Sequence, residues 1–176
     1  RDCLLSRGLG DVYKRQIPSL YVMFRLTALG GTFDIIHVGH VGLIEKAVSI
    51  SEKIIIGLTS DEFISKHGKK INNNFEQRFE NLEKMIHENF PNCSFEIAKL
   101  DDDFGPAVIE GNVDALVVSE ETRKKGDILN VSRKERNLIP VEIITIPMKL
   151  ASDGKRISST RIRNSEIDSS GNILVD

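Results

Sequence analysis

The chain has 176 residues, a length typical of one domain, and 40% of its residues are hydrophobic, which is enough for a packed core. Its net charge is −2, from 24 basic and 26 acidic side chains, so the composition excludes the overall basic field that a nucleic-acid partner requires. No apolar run approaches the ~20 residues that span a membrane, and the two cysteines, Cys3 and Cys93, form no spacing pattern and favour a reducing, cytoplasmic location.

The first 22 residues differ in character from the rest of the chain. The segment from Arg1 to Gln16 lacks the apolar core of a signal peptide, because Leu4-Leu5 is its longest apolar pair. Met23 stands directly before the first strand-like run and is a natural start. We therefore predict a non-native or disordered extension over residues 1–22 and a single domain over residues 23–176.

A strand, a glycine turn and a helix start follow. Phe24–Leu29 is a short apolar run, a GGTFD string occupies residues 30–34, and Val38–Ile50 is amphipathic, with His37 and His40 at its beginning. Glycines let a phosphate approach the backbone, helix-start N–H groups favour anions, and two imidazoles three positions apart project near the same helix end. The junction therefore predicts a phosphate site. Taken singly, the glycines also suit a tight turn, and the histidines suit half of a metal site.

Strand-like and helix-like stretches then alternate along the chain. Apolar β-branched residues predict a buried strand at Lys53–Leu58, and Thr59–Glu62 has the composition of a helix cap with acidic first-turn residues. After a polar loop, apolar residues at helical spacing predict a helix from Phe75 to Phe90. The remaining predicted elements are strands at Ser94–Leu100, Ala115–Ser119 and Val141–Ile146, a short helix at Pro106–Gly111 and a charged helix at Thr122–Leu138.

Strands separated by helices predict a Rossmann-like, doubly wound parallel sheet in one α/β domain. In such sheets ligands bind beyond the carboxyl ends of the strands. Polar motifs follow four predicted strands directly, at residues 30–34, 59–61, 101–103 and 119–122. We therefore expect these motifs to converge on one edge of the sheet, although they are far apart in the sequence.

Two strings resemble the signatures of the nucleotidyltransferase superfamily. GGTFDIIHVGH, at residues 30–40, resembles its first signature, and ISSTRIR, at residues 157–163, resembles its second. Together with VVSEET at 117–122, DFGP at 103–106 and NVSR at 130–133, they resemble the archaeal and eukaryotic type of pantetheine-phosphate adenylyltransferase. The resemblance covers about residues 24–168. One departure is Ser165, which stands where the family often has glycine and affects the C-terminal turn more than the chemistry.

The resemblance implies the nucleotidyltransferase (HUP-type) fold and transfer of the adenylyl group of ATP to 4′-phosphopantetheine, by in-line attack without a covalent intermediate. A phosphate oxygen of the acceptor is already nucleophilic, so the protein has to position the reactants and stabilise charge, not supply a base. The resemblance implies that His40 donates to the α-phosphate in the transition state and that His37 contacts the phosphates of bound ATP. Thr32 is expected to bridge the acceptor phosphate and the α-phosphate.

The second signature offers hydroxyl and guanidinium groups to the leaving pyrophosphate. Ser158, Ser159 and Thr160 are expected to begin a helix that faces the β- and γ-phosphates, and Arg161 or Arg163 is expected to neutralise the pyrophosphate. Without the first signature, a plain N-cap before a solvated basic helix explains the same string. The whole predicted ATP-binding set is Gly30, Gly31, Thr32, Phe33, Asp34, His37, Gly39, His40, Ser119, Glu120, Glu121, Thr122, Ile157, Ser158, Ser159, Thr160, Arg161 and Arg163.

The acceptor phosphate requires a cation. Lys66 follows the second strand at a position that resembles the family's acceptor-binding lysine, and Lys69 and Lys70 are close rivals. Thr32 completes the predicted phosphopantetheine site. Mg²⁺ is expected with ATP, held by phosphates and water, and no protein side chain is predicted as a metal ligand.

Alternative functions also fit parts of the sequence. A transferase of the same superfamily that acts on nicotinamide mononucleotide carries similar signatures, although the SEET and DFGP strings argue against it. A nucleotide-binding sensor without catalysis needs affinity but no transition-state donors, so the intact His37, His40 and Arg161 argue against it. Glu120 and Glu121 also suit plain surface acids. The predicted partners are ATP and phosphopantetheine, with no nucleic acid and no membrane, and the predicted assembly is a monomer or a small homo-oligomer.

Overall fold

One parallel sheet organises the computed structural model, which describes residues 23–174. The prediction for residues 1–22 lies outside the described residues. The strands are β1 (Phe24–Gly31), β2 (Ser51–Thr59), β3 (Ser94–Leu100), β4 (Ala115–Ser119) and β5 (Glu142–Ile146), and they stand in the order β3-β2-β1-β4-β5. All the neighbouring strands run parallel, which confirms the predicted doubly wound α/β fold.

Helices pack on both faces of this sheet. They are α1 (Val38–Ile50), α2 (Asp61–Lys66), α3 (Phe75–Asn89), α4 (Gly105–Glu110), α5 (Arg123–Glu135) and α6 (Ser159–Arg163), and a 3₁₀ turn, Glu120–Thr122, precedes α5. None of the helices within residues 23–174 is long and apolar enough to cross a membrane.

The core divides into two layers because successive side chains of a strand point to opposite faces. Ile54 and Ile56 of β2 pack with Ile44 of α1 and Leu82 of α3 on one face. Ile55 points to the other face and joins a cluster that includes Leu129 of α5. The fully apolar centre of β2, which predicted burial on both faces, is therefore explained by helices on both sides of the sheet.

The first strand is longer than the sequence suggested. Gly30 and Gly31 continue β1 and pair with Gly57 and Leu58 of β2, so the prediction of a glycine turn was wrong. The turn begins after Gly31 and contains Phe33, whose φ of 49° places a bulky residue in the left-handed region. A Cβ at position 31 would lie 2.9 Å from the Phe33 ring, so glycine is needed there for close packing, not for turning.

The charged helix also differs from its prediction at one end. It was expected over Thr122–Leu138, whereas α5 ends at Glu135. Asn137 adopts a φ of 58°, which a helix cannot accommodate, and asparagine tolerates this conformation better than most residues. The short helix α4 begins one residue before the predicted Pro106–Gly111, and the remaining boundaries agree within two residues.

The sheet opens between β1 and β4 at its carboxyl edge. These two strands pair only at Thr27–Ala115 and Ala28–Leu116. Further along, β1 stays with β2 as far as Gly31, and β4 stays with β5 as far as Ser119. The opening coincides with the point where the strand order reverses, which is where ligands bind in open α/β sheets.

Candidate active site

A cavity of about 920 Å³ occupies the opening at the carboxyl edge of the sheet. This volume lies at the upper end of the range of small-molecule sites, so it suits a large ligand or two ligands together. The predicted site residues that line it are Gly30, Gly31, Thr32, Phe33, Asp34, His37, Gly39, His40, Lys69, Lys70, Ser119, Glu121, Thr122, Ile157, Ser158, Ser159, Thr160 and Arg163. Lys66, Glu120 and Arg161 are not among the lining residues.

The two signature strings touch each other directly. The Ser159 hydroxyl donates a hydrogen bond to the Ile35 carbonyl at 3.1 Å, across 124 positions of sequence. Arg163 Nη2 lies 2.6 Å from Asp34 Oδ2, and that carboxylate is almost fully buried. The backbone N–H of Val38, at the start of α1, donates to the Ser169 carbonyl at 3.1 Å. The N-terminal and C-terminal signatures therefore form one wall of the cavity.

His37 caps the helix that follows the turn. Its Nδ1 accepts a hydrogen bond from the backbone N–H of Gly39 at 3.2 Å. Because a backbone N–H can only donate, Nδ1 carries no proton, and neutral His37 is protonated on Nε2. A Cβ at Gly39 would lie 3.0 Å from this ring, so the glycine makes room for the cap. His37 is thus fixed as a neutral donor at the cavity wall.

His40 stacks against His37 in the wall. The two imidazole rings stack with centroids 3.8 Å apart and planes 19° apart, and the Phe33 ring lies 4.8 Å away on a tilt. Burial, together with the neighbouring His37, lowers the pKa of His40 to about 3, although the Ile35 carbonyl acts in the opposite direction. Burial also lowers the pKa of His37 to about 4. Both rings are therefore neutral at physiological pH.

The buried histidines should make the stability of the chain depend on pH. Below about pH 6.5, His37 and His40 become protonated in the unfolded chain but stay neutral in the folded chain. The free energy of unfolding therefore falls as the pH falls. Between pH 6.5 and 5 we expect a loss of roughly 2 kcal/mol for each of the two histidines. Urea unfolding at pH 7 and at pH 5 measures this loss.

The variant His37→Asn provides the control for this pH effect. Asparagine can cap the helix but does not titrate, so about half of the loss between pH 7 and 5 should disappear in this variant. An unchanged pH dependence in the variant would contradict the assignment of the effect to His37.

Hydroxyl groups from several elements also line the cavity. Thr59 Oγ1 lies 3.4 Å from Thr32 Oγ1, so the ends of β1 and β2 present adjacent hydroxyls. After β4, the Thr122 hydroxyl accepts a hydrogen bond from the Ser119 N–H at 3.2 Å. Ser158 caps α6 by accepting from the Arg161 N–H at 3.3 Å. These groups can hydrogen-bond sugar or phosphate oxygens without adding charge.

Arg161 is held away from the cavity. Its guanidinium pairs with Asp153 at 2.6 Å and with Glu166 at 2.9 Å, and it also donates to the Arg156 carbonyl at 3.1 Å. Only 14% of its side chain is exposed. The Arg161 side chain therefore does not reach the cavity and instead binds the backbone carbonyl of Arg156, just before the second signature. Of the two arginines proposed for the pyrophosphate, only Arg163 lines the cavity.

Lys66 and Glu120 lie outside the lining for different reasons. Lys66 is in the last turn of α2, whereas Lys69 and Lys70 follow that helix in the loop that borders the cavity. Glu120 turns towards the end of β5, and its Oε2 accepts from the Met148 N–H at 3.4 Å. Glu121, its neighbour, faces the cavity.

Sequence reasoning missed Arg78, which fixes the turn at the cavity. The Arg78 side chain is fully buried; its guanidinium donates to the Thr32 carbonyl at 2.7 Å and to the Thr59 carbonyl at 2.8 Å, and pairs with Asp61 at 2.6 Å. It lies three residues after Phe75 and four before Leu82, on the apolar face of α3. A charged residue on that face was the signal that could have revealed it.

The acidic side chains of the cavity are already engaged. Asp34 accepts from the backbone N–H groups of Asn72 and Asn73 at 2.9 Å each, and Asp102 accepts from the Gly105 N–H at 2.6 Å. Asp103 pairs with Lys125 at 2.6 Å.

Within residues 23–174, no cluster of three or more histidine, cysteine or acidic side chains has the arrangement of a metal site. This donor set fits a cation that arrives with its own phosphate ligands better than one held by protein carboxylates.

Comparison with known proteins gives a consistent family. The cytidylyltransferase-like family pattern matches residues 28–165. The phosphopantetheine adenylyltransferase of Methanosarcina barkeri is 43% identical over 149 residues, covering 83% of this chain and 91% of the relative. The enzyme of the same name from Methanothermobacter thermautotrophicus is 40% identical, covering 86% of this chain and 90% of the relative.

A solved structure of a protein of unknown function from Archaeoglobus fulgidus is also similar. It superposes with a TM-score of 0.63 at 30% identity and covers 68% of this chain and 87% of that chain. The similarity extends over most of both chains, so it concerns the whole domain and not the signature strings alone.

Proposed function

Since the chain belongs to the cytidylyltransferase-like family and, within it, to the phosphopantetheine adenylyltransferases, we propose that the cavity at the carboxyl edge is its active site. The chain transfers the adenylyl group of ATP to 4′-phosphopantetheine and releases dephospho-coenzyme A and pyrophosphate. The observation that carries the assignment of the site is the direct contact between Ser159 and Ile35 and between Arg163 and Asp34, which joins the two signatures at one cavity.

The reaction we propose is a single in-line displacement. An oxygen of the acceptor phosphate forms a bond to the α-phosphorus of ATP, and the bond from that phosphorus to the oxygen bridging the β-phosphate breaks, so that pyrophosphate leaves. The attacking oxygen already carries negative charge at neutral pH, so no protein base is required. The protein contributes position and stabilisation of the charge that develops on the α-phosphate and the leaving group.

The neutral histidines suit this task. A neutral imidazole donates one hydrogen bond, and burial in a water-poor wall makes that bond to a developing anion stronger than it is in water. We assign His40 to the α-phosphate in the transition state and His37, protonated on Nε2, to the phosphates of bound ATP. Thr32, beside Thr59, lies where the ends of β1 and β2 meet and is assigned to the bridge between the acceptor phosphate and the α-phosphate.

Lysines are proposed to bind the acceptor phosphate. Lys69 and Lys70 line the cavity at the β2 side, whereas Lys66 does not, so the proposal favours the two later lysines. The hydroxyls of Ser158, Ser159 and Thr160 are proposed to face the β- and γ-phosphates. Mg²⁺ bound to the triphosphate would neutralise part of its charge, with phosphate and water ligands. A cytoplasmic location, with a monomer or small homo-oligomer, is proposed from the same membership.

Mass detection of the nucleotide product tests the function. Purified chain, ATP and Mg²⁺ are incubated with 4′-phosphopantetheine or with nicotinamide mononucleotide in parallel, and pyrophosphate release is followed in both. Dephospho-coenzyme A should form with the first acceptor, and no dinucleotide should form with the second. Turnover with nicotinamide mononucleotide alone, or ATP binding without product over hours, would overturn the assignment in favour of the mononucleotide transferase or the sensor.

A further inference from the structure

Arginines near the second signature differ in how tightly they are held. Arg161 is bound by two carboxylates and a carbonyl, and Arg163 pairs with the buried Asp34 and lies 3.1 Å from Asn72 Oδ1. Among the described residues, 23–174, Arg156 forms one side-chain ion pair, with Glu121, and about half of each of these two side chains is exposed. An exposed ion pair of this kind contributes little to stability, so the Arg156 guanidinium can change partner at small cost.

Arg156 and Glu121 pair across two segments of the cavity lining that are far apart in sequence. Glu121 lies in the 3₁₀ turn after β4, and Arg156 lies directly before the second signature, 35 positions later. Both residues line the cavity. Their ion pair therefore lies in the lining of the cavity in which ATP is proposed to bind.

The backbone at Arg156 is held by hydrogen bonds, whereas its side chain is held by an exposed ion pair with Glu121. Arg156 forms an antiparallel bridge with Leu150, and its carbonyl accepts from Arg161 Nη1 at 3.1 Å. The Ala151 N–H donates to the Lys155 carbonyl at 2.8 Å, which closes the preceding turn. The fixed backbone leaves the Arg156 side chain as the part that can change partner.

We infer that Arg156 binds the β- and γ-phosphates of ATP, and that Glu121 holds the Arg156 side chain in the empty site and gives it up when ATP binds. This inference rests on the proposed function. A polyphosphate carries several negative charges and offers two oxygens to one guanidinium, so it is a stronger partner than a single exposed carboxylate. A carboxylate facing a polyphosphate is repelled by it, so Glu121 serves as a competitor for Arg156 and not as a phosphate ligand.

We expect substitutions of Arg156 and of Glu121 to change the affinity for ATP in opposite directions. Calorimetric titrations with MgATP and with AMP together isolate the contribution of the β- and γ-phosphates to binding, because AMP lacks both. Arg156→Ala should weaken ATP binding about 10- to 100-fold, as for loss of a charged hydrogen bond, and should change AMP binding by less than about 2-fold. Glu121→Gln should tighten ATP binding about 2- to 5-fold, the range of an exposed ion pair, and leave AMP binding unchanged.

Further variants control for folding and for the coupling of the pair. Arg156→Lys keeps the charge and should lose less ATP affinity than Arg156→Ala. In the Arg156→Ala background, Glu121→Gln should no longer alter ATP binding, because no guanidinium is left to release. Thermal unfolding should show the same midpoint for all variants within a few degrees, since the pair is exposed.

Several outcomes would overturn the exchange of partners. Weaker ATP binding by Glu121→Gln, or an equal change with AMP, would mean that Glu121 contacts the nucleotide itself. Unchanged ATP binding by Arg156→Ala would remove Arg156 from the site. Dephospho-coenzyme A formation by the unaltered chain is measured separately: its absence would overturn the proposed function, while the ATP and AMP titrations would still decide the role of Arg156.

Discussion

Replacement of His40 by alanine is expected to lower kcat by about 10²–10³, the loss that follows removal of one donor to an oxyanion. His40 stacks on His37, and burial keeps it neutral, so it can donate to the charge that develops on the α-phosphate but cannot attract phosphate as a cation. The KM for ATP should change much less than kcat, because the bond is made mainly in the transition state. Steady-state pyrophosphate release measures both constants.

His87, a histidine on the surface, provides the control. His87 is exposed in the last turn of α3, with its ring against Phe95 and not in the cavity lining. His87→Ala should leave kcat within about 2-fold of the unaltered chain, as is usual for surface substitutions. Circular dichroism and a thermal melt confirm that His40→Ala is folded at the assay temperature. Near-normal turnover of folded His40→Ala would remove His40 from the mechanism.

Because the two histidines are neutral, the cavity offers phosphates two kinds of partner, cationic side chains and uncharged hydrogen-bond donors. In the proposed mechanism, cationic groups such as Lys69 and Arg163 attract phosphates in every state of the reaction, so they are expected to contribute to binding. A neutral donor inside a buried wall responds mainly to charge that appears during the reaction. The structure therefore combines cations at the cavity lining with uncharged donors at the stacked histidine pair.

The sheet and the convergence of the motifs were predictable because both depend on local patterns. The apolar centre of β2 and the helical spacing of α3 are visible in the sequence, and parallel strands place their carboxyl ends on one edge. The extension of β1 through Gly30 and Gly31 was not predictable in the same way. Two glycines after a strand suit a turn equally well, and only the pairing with β2 and the packing of the Phe33 ring decide between the two.

Side-chain partners were the least predictable part of the site. Arg161 and Arg163 lie two positions apart in the same signature, yet Arg161 turns to Asp153 and Glu166, and Arg163 turns to Asp34. Which arginine reaches the cavity depends on carboxylates that are close in space, and Asp34 is 129 positions away in sequence. No local pattern contains that information.

Arg78 is the clearest example of such a long-range dependence. Its guanidinium donates hydrogen bonds to the carbonyls of Thr32, Thr59 and Asn73 and to the carboxylate of Asp61. These bonds connect the ends of β1 and β2 to the start of α3. The Thr32 carbonyl belongs to the turn that carries Phe33, on which His40 packs. Arg78 therefore connects the stability of the domain to the position of its proposed catalytic groups.

The variant Arg78→Met should destabilise the chain by about 3–5 kcal/mol, mainly because it leaves three carbonyls without their buried donor. Asp61 contributes less, since 39% of its side chain is exposed and its carboxylate still accepts from the Phe75 N–H. Urea unfolding at pH 7 measures the loss. Arg133→Met is the matched control: Arg133 is also buried, donates to the carbonyls of Ile139 and Val108, and does not touch the signature strings.

Activity distinguishes the two variants where both are folded. At a temperature at which the melts show folded protein, Arg78→Met should lower kcat by at least about 10-fold, because a shift of about 1 Å in the Thr32–Phe33 turn misplaces the groups that stabilise the transition state. Arg133→Met should lose stability but keep its kcat, since its guanidinium joins α5 to the carbonyls of Val108 and Ile139 and has no contact with the Thr32–Phe33 turn. Equal kcat values for the two variants would mean that Arg78 stabilises the fold without positioning the site.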